Sequence, residues 1–439
     1  MNKNLKIGLL GLGTVGSGVA KIIQTPKGRN PLVEKLELTK IAVRDVNKVR
    51  GVHIPSDVLT ENALEVVENP EIQIVVEVMG GIEPARSLII KAIQNGKSVV
   101  TANKAVIARY GDEIALAANK AGVYVLIEAA VGGGIPIIEP LKQSLGANQI
   151  DKVLGIINGT TNYILTRMKS ETANIKDLIK EAQRLGYAEA DPVADIEGFD
   201  AADKISILSS LAFGGSINRA NIPTKGISKI QSVDVDYAKE LGYVVKLLAV
   251  AERVKKSDKG PNSVLPLSVW VQPTLIPRQH PLSGVNGVNN AILVEGSPIG
   301  EVMFYGPGAG AGPTASAVVA DILNIAGVQF LGGKDTKLDP LLAGKSWRIC
   351  ELVKPSEIMQ KHYLRLVTED TPGVIGKIGN ILGSNGVSIK SIVQFESSEA
   401  GAEIVVVTDI VDGGSFQYSL DEITSLAKVK GIASQMVCI

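Results

Sequence analysis

Cysteine is scarce in this chain, with two in 439 residues, Cys350 and Cys438. Such a pair cannot build a disulfide framework, and a reducing cytosol is the expected compartment. Histidine is nearly as rare: the three, His53, His280 and His362, stand apart from other polar residues of catalytic type. Excess charge of one sign is missing too, since 45 basic residues balance 45 acidic ones without a like-charge run, which argues against a nucleic-acid partner. Two long uncharged windows, 260–277 and 302–320, are broken by prolines and by glycines respectively. Neither is expected to satisfy its backbone in lipid as a helix, so no membrane partner is expected. The start, MNKNLKIGLLGLG, enters a strand at once, without the charged, apolar and cleavage regions of a signal peptide. A cytoplasmic protein is the expectation.

What is present points to several domains, because 439 residues exceed a single core. An apolar run at 6–10 leads into Gly11-Leu12-Gly13-Thr14-Val15-Gly16, and an apolar helix pattern follows through Val19 and Ile22. A lone GxGxxG could be an ordinary turn. Strand, glycines and helix in that order form the dinucleotide fingerprint: a tight turn, close approach of a pyrophosphate, and a helix N-terminus to meet its charge. The second strand, 38–43, ends at Arg44-Asp45. A carboxylate there suits the ribose hydroxyl of NAD and an arginine the extra phosphate of NADP, so both coenzymes stay open, with the balance leaning to NADP.

Strand-to-loop passages recur at 72–81 and 98–104, and Thr101, Asn103 and Lys104 are expected beyond the strand ends, where doubly wound sheets bind ligands. Lys104 is the first candidate to meet an anionic or carbonyl group, or it is a plain surface lysine. Glu128 precedes a glycine turn through Val131, Gly133 and Ile135, whose exposed carbonyls would suit a hard cation, or which serves as a domain hinge. The run from Asn158 through Thr160 to Leu165 reads as a capped helix start whose free amides could receive a substrate carboxylate.

The stretch LGYAEADPVADIEGFDAADKISIL, 185–208, crowds Glu189, Asp191, Asp195, Glu197, Asp200 and Asp203 ahead of Lys204. Asp200 and Lys204 are spaced to share one helix face, where the carboxylate can orient the ammonium. Alternatively Asp200 is an N-cap, Asp203 sits at the third helical position and Lys204 is solvated. As an acid or base, a desolvated Lys204 would approach neutrality while Asp200 opposes it. Farther on, a helix near 237–241, a strand through 244–250, a turn at 255–262 and an alternating strand at 265–271 suggest an α+β layer. The loops 277–292 are expected to return toward the cofactor side. Glycines from Gly306 to Gly312 then open an alanine and valine helix to Ile325. A polar linker and a self-contained βαββαβ unit complete the chain.

These motifs together resemble those of homoserine dehydrogenase across nearly the whole chain: GLGTVG from Gly11, TANK ending at Lys104, EAAVGGGIPII from Glu128, NGTTNYIL from Asn158, GYAEADPVADIEGFDAADK ending at Lys204, HPLSGVNGVNNAI and GPGAGAGPTASAV. The tail, TEDTPGVIGKIGNILGSNGVSIKSI, looks like an ACT domain. The resemblance implies an α/β protein with a Rossmann-like doubly wound domain at 1–135, completed by the return segment 305–330, an α+β substrate and dimerisation domain at 136–304, a linker at 331–360, and a ferredoxin-like ACT domain at 361–439. It implies reversible NADPH- or NADH-dependent reduction of L-aspartate 4-semialdehyde to L-homoserine, on the route to threonine, methionine and isoleucine, by a homodimer or homotetramer.

By the same resemblance, Lys204 is the proton donor and acceptor, Asp200 and Glu189 hold the substrate's ammonium and hydroxyl, and Lys104 holds its polar head, with Thr160 nearby. Sodium, or another monovalent cation, falls to Glu128, Val131, Gly133 and Ile135, the last three through main-chain oxygens. Gly186 and Gly306 join the fingerprint residues, Arg44, Thr101 and Lys104 at the coenzyme. Asp370, Gly373, Val374, Asn385 and Ile389 are the expected positions for an amino-acid effector such as threonine. Two other readings remain: a thioester-forming aldehyde dehydrogenase, which needs an activated cysteine, and a catalytically silent sensor of nucleotide and amino acid.

Overall fold

The structure, a computed structural model, describes residues 4–170, 174–254, 265–331, 350–398 and 401–439. The turn expected at 255–262 and residues 332–349 of the expected linker lie outside the described residues.

Short runs rich in valine and isoleucine make the first sheet. Its strands are β1 (Leu5–Leu10), β2 (Leu36–Ala42), β3 (Leu59–Thr60), β4 (Ile74–Glu77), β5 (Ser98–Thr101) and β6 (Val125–Leu126). They run parallel in the order β3-β2-β1-β4-β5-β6, so the winding reverses between β1 and β4. A parallel sheet needs cover on both faces, which is why IVVE and SVVT are buried throughout. Helices Thr14–Gln24, Ala85–Gln94 and Lys104–Ala121 supply part of that cover. The returning helix Ala311–Leu331 supplies more: Ala315, Val318, Ile322 and Ile325 share one core with Ile7, Leu9 and Val19. This is the alanine and valine helix expected after the glycines, and it runs past Ile325 to Leu331. It is long and apolar enough to cross a membrane by length and composition, yet its apolar face is spent against the first sheet.

The second sheet differs more from expectation. It comprises β7 (Gln149–Ile156), β8 (Tyr243–Arg253), β9 (Leu265–Pro277), β10 (Asn289–Ser297), β11 (Gly300–Pro307), β12 (Cys350–Leu352), β13 (Met359–Thr368), β14 (Ile389–Ser398), β15 (Gly401–Thr408), β16 (Val411–Asp412) and β17 (Val429–Cys438). Its main path is β11-β10-β7-β8-β9-β17-β13-β15-β14. Of the segment 277–292 read as a loop, 278–288 is a loop with a short 3-10 turn at Pro281–Gly284, while 289–292 opens β10 of the β10–β11 hairpin, and Gly306 lies within β11, opposite Asn290. Nor is β9 half-solvated: most of its residues are buried, because Leu265, Leu267, Val269 and Val271 pack into one core while Trp270 and Ile276 on the other face pack into a second. Cys350, assigned to the linker, starts β12 and pairs with Leu265.

The C-terminal unit has the strand order β17-β13-β15-β14, the ferredoxin-like arrangement, with helices Val374–Ser384 and Gly413–Thr424 packed in one core. It is not self-contained. Val437 and Cys438 pair in parallel with Thr274 and Leu275, so its sheet continues that of the preceding unit.

Candidate active site

A cleft of about 1830 Å³ runs between helix Lys104–Ala121, which follows β5, and helix Phe199–Phe213. Lys104, Glu189, Asp195, Asp200 and Asp203 all line it. The second helix starts at Gly198, whose φ of 80° takes the N-cap, so Asp200 lies inside the first turn and caps nothing. From Asp200 to Ser209 every residue of this helix is buried. A helix buried all round can keep charges only if they are paired.

They are paired. Lys204, 8% exposed, donates to Asp200 Oδ2 and to the Ile157 carbonyl, both at 2.7 Å. Asp200 Oδ2 also accepts from Asn158 Nδ2 at 2.9 Å. Across the cleft, Lys104 Nζ lies 2.5 Å from Asp200 Oδ1, off the direction of a well-formed hydrogen bond, so this contact is an ion pair. Burial pushes the Asp200 carboxyl up, but Lys204 and Lys104 outweigh it and hold the group far below the usual carboxylate range. For Lys204 the balance goes the other way. Burial lowers its pKa, and with Lys104 repelling it, the attraction of Asp200 does not restore the ordinary value. Lys104 is itself raised: burial lowers it, and Asp200 more than compensates.

Thr160 is less free than expected. Its hydroxyl lies 2.6 Å from the Tyr187 carbonyl and 3.0 Å from Asp195 Oδ2, and Asp195 also receives Asn158 Nδ2 at 2.7 Å. Glu189 is exposed on the cleft wall, its backbone carbonyl held by Gln183 at 3.0 Å. Asn158 thus bridges Asp195 and Asp200, a role sequence reasoning missed although NGTTN was singled out. Arg109, Arg219 and Glu77 were missed as well. Arg109 shares a helix with Lys104, but a spacing of five does not put the two on one face, so the sequence held no signal for it.

At the fingerprint, Gly11 has φ 100°, and a Cβ on Gly16 would lie 2.2 Å from the Gly11 carbonyl, whereas Gly13 faces open space. The helix beginning at Thr14 has no side-chain cap, leaving its amides for an anion. Leu12 is buried, and Val15 packs against the core of the first sheet. Arg44 and Asp45 are exposed just past β2; Asp45 Oδ1 accepts from the Asn47 amide at 2.8 Å, while Arg44 has no side-chain partner among the described residues. The Thr101 hydroxyl is committed to Glu77 at 2.7 Å, and Glu77, fully buried at the end of β4, has its pKa raised by burial. Gly186 sits at the end of helix Ile175–Arg184 with φ 76°, and Gly306 faces Ile135.

Glu128 caps a helix: its carboxylate accepts from the Ile137, Ile138 and Glu139 amides at 2.6, 2.9 and 2.7 Å. Glu139 and Asp321 bring ligand atoms within 4.8 Å of it, and buried Asp321 Oδ1 has no partner. Val131, Gly133 and Ile135 are buried, and their carbonyls accept no hydrogen bond among the described residues. Such oxygen atoms fit a hard cation.

In the C-terminal unit, Asp370 accepts from Gln394 at 3.1 Å, Gly373 has φ 87°, and Val374 begins an 11-residue helix that stops before Asn385. At 1.5 Å per residue the two ends stand roughly 18 Å apart, so one copy does not gather these residues with Asn385 and Ile389. Asn385 donates to Glu422 at 2.7 Å, and Ile389 packs beside the core.

A doubly wound sheet with this glycine turn, a charged cleft opening just past the end of β5 and a ferredoxin-like tail define an NAD(P)-dependent oxidoreductase with an attached ACT-type module. Family profiles described as homoserine dehydrogenase, NAD binding domain, as homoserine dehydrogenase, and as ACT domain match residues 11–128, 136–323 and 362–427. The chain belongs to the homoserine dehydrogenase family. It is 53% identical over 430 residues to the homoserine dehydrogenase of Synechocystis sp., covering 98% of each chain. With that of Bacillus subtilis it shares 38% over 444 residues, again 98% of each. Among solved structures, a homoserine dehydrogenase from Thiobacillus denitrificans matches at a TM-score of 0.89 and 40% identity, over 100% of this chain and 98% of that one. A hyperthermophilic archaeal homoserine dehydrogenase in complex with NADPH matches at 0.60 and 29%, over 73% of this chain and 97% of its own.

Proposed function

We propose that this enzyme reversibly reduces L-aspartate 4-semialdehyde to L-homoserine with Lys204 as the group that gives and takes the proton, serving threonine, methionine and isoleucine synthesis in the cytoplasm. The observation that carries the assignment is the Lys204 ammonium, buried behind the cleft between Asp200 and the Ile157 carbonyl, with its pKa lowered. Bound NADPH or NADH supplies the hydride. Lys204 delivers a proton to the carbonyl oxygen as negative charge develops there, and in reverse the neutral amine takes it from the hydroxyl. Asp200 fixes the amine's direction, and the Asn158 amide fixes Asp200. Lys104 and Glu189, on the cleft walls, complement the carboxylate and ammonium of an amino-acid substrate. Thr160 holds the loop that carries Asp195.

The unpaired Arg44 supports NADP. Sodium, held by Glu128, Val131, Gly133 and Ile135, would fix the turn between the two units without entering the chemistry. Threonine is the proposed effector, in a pocket that two copies complete, since one copy separates Gly373 from Asn385. The thioester reading loses ground because no histidine lines the cleft to activate Cys350, which does reach its wall, and because the Cys438 thiol lies outside the cleft and is pushed up to about 12 by burial.

Steady-state assays with the semialdehyde, each reduced coenzyme, and sodium or threonine added or withheld test these points separately. Lys204→Ala is expected to lower turnover by about 10² to 10⁴ while coenzyme affinity stays near normal. Wild-type turnover in that variant ends the assignment. Equal use of both coenzymes would remove the role of Arg44, and rates indifferent to sodium or to threonine would remove the corresponding ligand.

A further inference from the structure

One carboxylate in the cleft has no part in the reaction described above. Asp203, 6% exposed, lies beside Lys204 and is gripped by two arginines. Arg219 Nε approaches Oδ1 at 2.6 Å, and Arg219 Nη2 also donates to the carbonyl of Phe199, the first residue of the helix, at 3.2 Å. Arg109 Nη1 reaches Oδ2 at 3.2 Å from the opposite wall and donates to its own helix at the Ala105 carbonyl at 3.0 Å. Arg109 and Lys104 belong to one helix, Asp203 and Asp200 to another. Two ion pairs therefore cross the cleft side by side, Lys104 with Asp200 and Arg109 with Asp203.

The two pairs have different fates once substrate enters. Lys104 must turn to the substrate's polar head, which loosens its hold on Asp200. Asp203 faces two guanidinium groups and can keep both. Accordingly, we infer that Arg109 and Asp203 form a positioning latch, anchored by Arg219, which holds the two walls in register during hydride transfer while Lys104 is engaged with substrate. The inference rests on the proposed roles of Lys104 and Lys204. Neither Arg109 nor Asp203 needs to touch the substrate; they act through the helix that carries Asp200 and Lys204.

The test uses the full chain and three variants, Arg109→Ala, Arg109→Lys and Arg109→Ala combined with Asp203→Asn, with kcat, both KM values and the thermal midpoint measured for each. Arg109 is partly exposed, so its loss should leave the fold intact. Loss of register of about 1 Å costs on the order of 100-fold in rate. Arg109→Ala is therefore expected to lower kcat about 10- to 100-fold with the coenzyme KM and the thermal midpoint nearly unchanged. Arg109→Lys should recover part of that loss, and the double variant should be no slower than Arg109→Ala. Unchanged kcat, a fall confined to the thermal midpoint, or losses that multiply in the double variant would each overturn the latch. A fully active Lys204→Ala enzyme would instead sink the reading beneath it, whatever Arg109→Ala does.

Discussion

Three charges close together decide the chemistry of the cleft. Asp200 lies between Lys204 and Lys104, and the sum of their fields leaves one lysine lowered and the other raised. The difference comes from burial, since Lys204 is enclosed and Lys104 is partly open. A lowered lysine can hold or release its proton nearer neutrality than the ordinary value of about 10.4. Homoserine oxidation needs the neutral amine, so its rate should rise with pH through a midpoint below that value. Lys104→Ala removes a positive charge that lowers Lys204 and leaves Asp200 less compensated, and both changes favour the ammonium. The midpoint in kcat/KM against pH should therefore move to higher pH in that variant. A shift toward acid would contradict the assignment of charges.

At the scale of elements, glycines fix how closely backbones meet. Gly16→Ala places a methyl 2.2 Å from the Gly11 carbonyl, with no flexible side chain to yield. Overpacking of this kind costs about 1–3 kcal/mol. Because the strain falls on the pyrophosphate turn, coenzyme affinity measured by titration should fall about tenfold or more; unchanged affinity would place the coenzyme elsewhere. Glu128 illustrates a site with two functions, because its carboxylate caps a helix whether or not a cation is bound. Helix Phe199–Phe213 could be read from its spacing as carrying Asp200 and Lys204 on one face. That it is buried on all sides could not, because burial depends on the strands and helices that surround it.

Across the whole molecule, the C-terminal unit is joined to the rest through its core as well as its sheet. Arg365, 2% exposed, meets Asp234, fully buried, at 2.8 Å, and it also bonds Glu403 at 2.9 Å and Gln231 at 2.7 Å. Tyr237, on the helix of Asp234, stacks on Phe395 at 3.7 Å and donates to Glu403. Removing one partner of a buried pair costs about 3–5 kcal/mol. Arg365→Ala should destabilise the whole chain by that order in urea unfolding, whereas Arg365→Met with Asp234→Asn, which keeps an acceptor for the Gln231 amide, should recover part of it. An unchanged midpoint in the single variant would mean that the two units are merely tethered. A chain ending at Gln360 would also lose β17 from beside β9, so simple removal of the tail tests regulation less cleanly than its resemblance to a separate module suggests.

The dinucleotide turn, the acid-rich approach to Lys204 and the βαββαβ tail are legible in the residues alone, because each depends on short-range spacing: glycines between a strand and a helix, charges four residues apart, or alternating apolar runs. So is the place of Lys104 at a strand end. It took the folded chain to show that Lys104 meets Asp200, that Asn158 bridges two carboxylates and that Arg109 grips Asp203, since these partners lie 37 to 96 residues apart in the chain. Folding likewise paired Asn289–Ser297 with Gly300–Pro307 as a hairpin and fused two sheets into one. Strand pairing is set by which edges meet in space, and nothing in a single strand's own pattern names its neighbour.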